Sequence, residues 1–305
     1  MQVLKKLSYT YSRNMVPEAY AVPGEVVEFD AADCFSGKLK REDSMPEIAD
    51  DEFNPVTGPL YLRGAEPGDT LAVDILDIQT EDHGWVLTGD RLGIVDHENR
   101  IRKVEIRDGY CLFNDMKWPV NTMIGTIGCP LADKDIPAHY VFEGGGNIDS
   151  RKITRGTVLY VPVRVAGGLL AMGDMHATMG DGEMVGTGIE VGGRIICRVG
   201  LIRNFALNWP VTETRGTWYV NTCGETCDRA IELGYREMHR LLMQAYGWDA
   251  TDTAMYMSMR GCVEACQACL SPRGGGNSFR IGTPKTDLKP SLLPSADFGS
   301  CNSEP

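Results

Sequence analysis

Over its first two thirds the chain arranges apolar residues in short runs and alternations, with Gly, Pro and Asp between them. AVPGEVVEFDAADCF (21–35), TLAVDILDIQT (70–80), TVLYVPVRV (157–165), GLLAMGD (168–174) and RIICRVGLI (194–202) are rich in Val, Ile and Leu and are of strand length. Such residues suit a pleated, half-buried surface, and a period of two turns alternate side chains toward one face. Residues 38–57, KLKREDSMPEIADDEFNPVT, are polar and carry proline, which predicts a loop or short helix of a length that often serves function. From Asp228 the period changes. DRAIELGYREMHRLLMQAYG puts Ile231, Met238, Leu241, Leu242 and Ala245 near helical spacing, with Gly247 as the stop. A second helix is expected from Asp252 to about Leu270, capped by Asp249 or Thr251, with Pro272 beyond its end. The pattern predicts one mainly β unit with a sandwich- or barrel-like core. It should be β-rich over about 1–215, with helices packed on one flank over about 225–272 and a frayed tail over about 290–305.

Composition narrows the setting. The chain has 305 residues, 43% hydrophobic and 24% charged, enough for a large core without staples. No apolar run approaches the roughly 18 residues of a membrane span, and MQVLKKLSYTYSRN lacks the apolar stretch of a signal peptide, so a cytoplasmic protein is expected. The ten cysteines are then reduced thiols, most of them buried, with no disulfides. A net charge of −12 opposes nucleic acid and anionic membranes as partners, and RKVEIRDGY (102–110) alternates in sign rather than forming a basic patch. A homodimer or higher homo-oligomer is the default assembly.

Candidate chemistry is concentrated between Gly144 and Glu190, where Asn147, Asp149, Asp174, His176, Asp181, Glu183 and Glu190 lie among glycines. If the strand through Asp174 continues, Asp174 and His176 share a face; Asp181 and Glu183 have the same spacing across Gly182. An imidazole with hard carboxylates is a ligand set for a divalent cation, against the blander reading of a turn rich in Asp and Gly with a satisfied histidine. GGGN (144–147) offers N–H donors and the Asn147 amide to an oxyanion, with Asp149 an orienter or ligand, or it is simply a glycine turn. Asp30 and Asp33 end a strand and either supply a carboxylate or cap the turn; Cys34 beside them reads as a buried thiol rather than a nucleophile. His139, just upstream of the glycines, is a second-rank candidate, while His83, His97 and His239 have no ligand-like spacing.

Cys262-x3-Cys266-x2-Cys269 has the spacing with which radical enzymes hold a four-iron cluster, yet only 36 residues follow it and no barrel remains to be built. On a helix the three fall at i, i+4 and i+7, so packing on one helix face is the expectation.

GGNIDSRKITRGTVLYVPVRVAGGLLAMGDMHATMGDGEMVGTGIE (145–190), NPVTGPLYLRGAEPGDTLAVDI (54–75) and MIGTIG (123–128) resemble, in order, motifs of the acetamidase/formamidase family of amide hydrolases. The resemblance spans about Asn54 to Glu190. It implies a mainly β fold, hydrolysis of small amides such as formamide or acetamide to acid and ammonia, lactam opening in some relatives, and a divalent metal, zinc or calcium. Two departures stand out: Met179 where the family commonly has Gln, which would reshape the pocket, and VEACQACLSP (263–272) in place of a polar segment, a matter of packing.

The combined reading assigns Asp33 and His176 as metal ligands, completed by Asp174 or Asp181. Glu183 is then the general base, with Gly146 N–H and Asn147 facing the oxyanion and Asp149 supporting. The rivals are a lactam hydrolase with the same site, and a non-catalytic binding protein whose acidic cluster holds calcium to order a loop.

Overall fold

Two large, mostly antiparallel sheets bury their facing sides against each other in the computed structural model, which describes residues 1–89, 93, 95–269 and 277–299. The first sheet orders nine strands as Gln2–Leu4, Val26–Ala31, Gly193–Ile202, Thr70–Thr80, Val158–Pro162, Val211–Glu213, Thr217–Gly224, Asn277–Pro284 and Cys262–Ala265. The second centres on Leu170–His176, flanked by Met123–Gly128, Glu190–Val191 and Val56–Leu62, and runs out through His83–Thr88 and Arg100–Arg107. Val27, Phe29, Leu71, Val73 and Ile75 from one sheet meet Ile124, Ile127, Leu170 and Met172 from the other in a shared core. The apolar runs of the sequence are these inner strands: 70–80 is a strand throughout, and its alternate residues enter the core.

Helix α1 spans Cys227–Tyr246 and covers the outer face of the first sheet. The Thr226 side chain accepts from Arg229 N at its start, and Gly247, at φ 68, closes its end by donating to Met243 O. Met238, Leu241 and Leu242 pack with Trp218, Val220 and Ile281 of the sheet in a second core. Gly234 sets the approach, since a Cβ there would lie 2.3 Å from Ile281 Cγ1.

Helix α2 is shorter than its periodicity suggests. It runs Ala250–Arg260, capped by Asp249, whose carboxylate accepts from Thr251 and Asp252 N. Beyond Gly261 the chain becomes the strand Cys262–Ala265, paired with Asn277–Pro284, so Cys262, Cys266 and Cys269 do not share a helix face. The sheet edge and a half-buried ion pair override the helical spacing: Arg280, fully buried, holds the partly exposed Glu264 at 2.8 Å through Nε. Cys266 and Cys269 are buried and Cys262 half-buried, while Leu270, the expected helix end, and Pro272 lie outside the described residues. Cys34, Cys111, Cys129, Cys197, Cys223, Cys227, Cys262 and Cys266 are free thiols, and Cys301 lies outside the described residues. No helix among the described residues is long and apolar enough to cross a membrane.

The polar stretch 38–57 is mostly irregular, with one short 3-10 turn at Asp50–Glu52 before the strand that opens at Val56. It lies over the second sheet, where it borders a cavity.

Candidate active site

Three strand pairings assemble the polar residues. Register sets His176 opposite Glu190 on one side and opposite Met123 on the other, while Thr126 faces Asn147 and Gly173. His176 Nε2 lies 3.1 Å from Glu190 Oε2, 3.7 Å from Asp174 Oδ1 and 3.9 Å from Asp149 Oδ1. Glu183 enters from the following loop, with its carboxylate within 4.8 Å of Asp149 and His176 ligand atoms. Five titratable groups are thus gathered at or below 5% exposure.

The backbone bends to bring them there. Asp149, Asp174 and Glu183 adopt left-handed φ of 53°, 53° and 43°, a conformation that Asp tolerates better than most residues and that Glu rarely adopts. At Asp174 this happens inside a strand, turning the carboxylate away from the regular pleat. Gly125 leaves the room, since a Cβ there would sit 2.6 Å from Asp149 Oδ1 and 2.8 Å from Asp174 Oδ2.

A ring of neutral donors fixes the acids. Asn54 Nδ2 donates to Asp174 Oδ2 at 2.8 Å, and the Thr126 hydroxyl lies 3.1 Å from the same oxygen and 2.8 Å from Asn147 Oδ1. Gln267 Nε2 bridges Asp149 and Glu183 at 2.8 and 2.9 Å, and Gly188 N donates to Glu190 Oε1 at 2.8 Å. Asp149 Oδ1, Asp174 Oδ1 and Glu190 Oε2 nonetheless make no well-aligned hydrogen bond and share the one His176 Nε2 as their ion-pair contact, while His176 Nδ1 is buried without a hydrogen-bond partner. Carboxylate oxygens in that state carry a large desolvation cost, which a bound cation would offset.

Electrostatics follows from this crowding. Burial, then the nearby acids, pushes Asp149 well above the usual carboxylate range; burial raises Glu183 too and takes Glu190 to about 8. Burial alone would depress His176, but the charges of Glu190 and Asp174 win and hold its pKa well above the ordinary value. Asp174 goes the other way: against its burial, the His176 contact keeps it below the usual range. No Lys or Arg ion pair reaches any of the four acids among the described residues.

A cavity of about 1070 Å³ lies against residues that hydrogen-bond the cluster, Asn54 and Gln267 among them. Phe35, Ile48, Phe53, Leu87 and Ile101 give it apolar walls, and Cys34, Asn54, Asn147 and Gln267 line it on the side of the acids, which lie behind them. His139 and Tyr140 also border it.

Among the residues singled out by sequence, the structure brings together Asp149, Asp174, His176, Glu183 and Glu190, with Asn147 at the cavity side. Gly146, at φ 79, must be glycine because a Cβ would meet Tyr140 O at 2.1 Å. Asp33 and Asp181 are placed elsewhere. Asp33 Oδ1 accepts from Phe35 N and Gly37 N at 3.0 and 2.7 Å and so caps the turn after its strand, while Asp181 pairs with Arg280 at 2.9 Å and Arg151 at 3.7 Å. Asn54, Thr126 and Gln267 escaped the sequence reading. Gln267 lies in VEACQACLSP, so that departure reaches the site as well as the packing; Asn54 begins one of the family-like motifs, and Thr126 has no signal of its own.

The acetamidase/formamidase family model matches residues 10–129 and 119–216, most of the strands that carry the cluster. The chain belongs to this family. Formamidase of Methylophilus methylotrophus is 25% identical over 304 residues, covering 74% of each chain. Among solved structures, a predicted acetamidase/formamidase from Thermoanaerobacter tengcongensis superposes with a TM-score of 0.89 at 31% identity, over 93% of this chain and 95% of that one. Acetamidase of Bacillus halodurans gives 0.88 at 28% identity, over 92% and 97%. These likenesses run through both sheets, so the family's fold extends over the whole described sandwich.

Proposed function

We propose that this family member hydrolyses the C–N bond of small amides to carboxylate and ammonia, with a divalent ion held by His176, Asp149 and Glu183 or their neighbours Asp174 and Glu190. The observation that carries the reading is the buried convergence of one imidazole and four carboxylates, behind the polar wall of a cavity, in an acetamidase/formamidase family chain. The donor set fits such an ion, and an imidazole among carboxylates favours zinc over calcium, which prefers an all-oxygen shell. When bound, the ion supplies an activated water and polarises the amide carbonyl, the two needs of a resonance-stabilised bond.

The chain's own residues do the rest. Glu183, raised by burial and bridged by Gln267, would hold the ion through one carboxylate oxygen and with the other is placed to take the water's proton and return it to the leaving ammonia. Asn147 has its oxygen occupied by Thr126, which leaves Nδ2 as its donor toward the amide oxygen. Asn54 and Gln267 hold the acids in their rotamers. The free thiols fit a reducing, cytoplasmic setting.

The cavity volume favours a second reading beside the first. Formamide would fill a small part of about 1070 Å³, so lactams and amides with longer acyl chains belong in the assay. The test is ammonia or ring-opened product from a panel of short amides and lactams, with metal analysis of the same preparation. Turnover that chelation abolishes and zinc restores, and that His176→Ala lowers at least about 10²-fold, supports the proposal. A melting temperature that falls on chelation, with no substrate ever turned over, would favour a purely structural ion.

A further inference from the structure

We infer that the chain holds two metal ions, the second on Cys34, Asp174 and Glu190. The inference rests on the metal-assisted reading above and adds a ligand set to it. Two separate triples of donor atoms each lie within 4.8 Å of one another: Asp149, His176 and Glu183 form one, and Cys34, Asp174 and Glu190 the other. They share no residue but abut, since His176 Nε2 is 3.1 Å from Glu190 Oε2 and 3.7 Å from Asp174 Oδ1.

Charge argues for two ions. Four carboxylates at 1–5% exposure face a single imidazole, and among the described residues no Lys or Arg ion pair reaches them. One ion on the first triple, with a position open for water, leaves Asp174 and Glu190 buried without a cation of their own. The oxygens make the same point: Asp174 Oδ1 and Glu190 Oε2 are buried without a well-aligned hydrogen bond, and the one imidazole near them, His176 Nε2 at 3.7 and 3.1 Å, is shared with Asp149. A Cys34 packed merely as a small hydrophobe would donate at most one S–H bond, so that one of those oxygens would still rest on the shared imidazole alone. Cys34 sits in the turn that Asp33 caps, 5% exposed and on the cavity wall, so that turn delivers the thiol to the acids. On binding, the ion displaces the thiol proton to solvent and the sulfur ligates as thiolate. Paired ions of this kind clamp both the attacking and the leaving group of a displacement.

The test strips the purified full chain with a chelator and titrates it with cobalt(II), reading metal per chain and the absorption spectrum. The expected result is two cobalt ions per chain and a near-ultraviolet thiolate-to-cobalt charge-transfer band. Cys34→Ser should reduce the stoichiometry to one and abolish the band while keeping the visible cobalt bands of the other centre; Asp149→Asn should keep the thiolate band. One cobalt per chain without a thiolate band overturns the inference and leaves the amide-hydrolase reading standing, whereas no cobalt bound at all, with turnover indifferent to chelation, sinks both. Two cobalt ions without the band, or a Cys34→Ser protein with an unchanged spectrum, likewise overturn it. If Cys34→Ser does not fold, the stoichiometry and band of the parent protein decide alone.

Discussion

Glu237 on helix α1 and Glu190 beside the cavity are both acids at or below 3% exposure, yet their surroundings are opposite. Glu237 accepts from Asn208 N at 3.0 Å, from Asn208 Nδ2 at 2.7 Å and from Arg240 Nη2 at 2.6 Å; against the penalty of burial, those bonds hold it below the usual carboxylate range. Glu190 has one backbone donor, a second oxygen whose contact is the His176 imidazole it shares with Asp174 and Asp149, and three acidic neighbours, and burial takes it to about 8. The same contrast runs through the two regions. On the flank, cap, stop signal, apolar spacing and a helix glycine all agree with the packing. Around the cavity, three acids sit at positive φ, each a departure that costs on the order of 1 kcal/mol, and their charges repel. Local agreement marks the part that only has to be stable, and local conflict, held in place by the surrounding sheets, marks the part proposed to act.

The sharpest way to break this contrast is Glu183→Gln. Shape is kept and basicity lost, so ammonia release should fall at least about 10²-fold. Because the substitution removes a buried charge from among like charges, the melting temperature of the metal-free protein should rise. A variant that melts earlier at unchanged turnover would put Glu183 in the same structural class as Glu237.

Leu241→Ala tests the other side. Truncating a fully buried side chain between helix and sheet should cost about 2–5 kcal/mol in denaturant unfolding, with ammonia release per folded molecule unchanged. Turnover that fell in proportion would mean the flank shapes the site.

The third measurement follows melting temperature against pH in chelator. Glu190, at 4.5 ordinarily and about 8 when folded, binds more protons in the native state across that interval, so it contributes stability that is lost as pH rises through it. His176, raised above 6.5, has the same sign over the upper part, and Asp174, lowered below 3.8, acts only on the acid side. The metal-free protein should therefore melt progressively earlier from about pH 5 to about pH 8. Glu190→Gln should flatten that slope; a slope steepened by the substitution would contradict the assignment of its cause.

Smallest is Thr226→Ala, which removes the cap on Arg229 N and should cost about 1 kcal/mol with no kinetic effect. A change in KM here would again blur the two regions.

Strand periodicity, the α1 boundaries and the Asp249 cap were legible in the sequence because each depends on residues within a turn or two of one another. So was the crowding of acids between Asn147 and Glu190, and the family-like motifs that surround them. Which acids meet was decided by the sheets. Asp181 and Glu183 are two residues apart, yet buried Arg280 draws one outward while a left-handed turn sends the other in. Asn54, Thr126 and Gln267 converge from places up to 213 residues apart, and no local pattern encodes that meeting. The three cysteines show the converse: their spacing is helical, but an open strand edge at Asn277–Pro284 offers backbone hydrogen bonds, and Arg280 offers Glu264 a partner. Local spacing states what a segment prefers alone; strand register and buried charge pairing, which join distant segments, determine what it becomes.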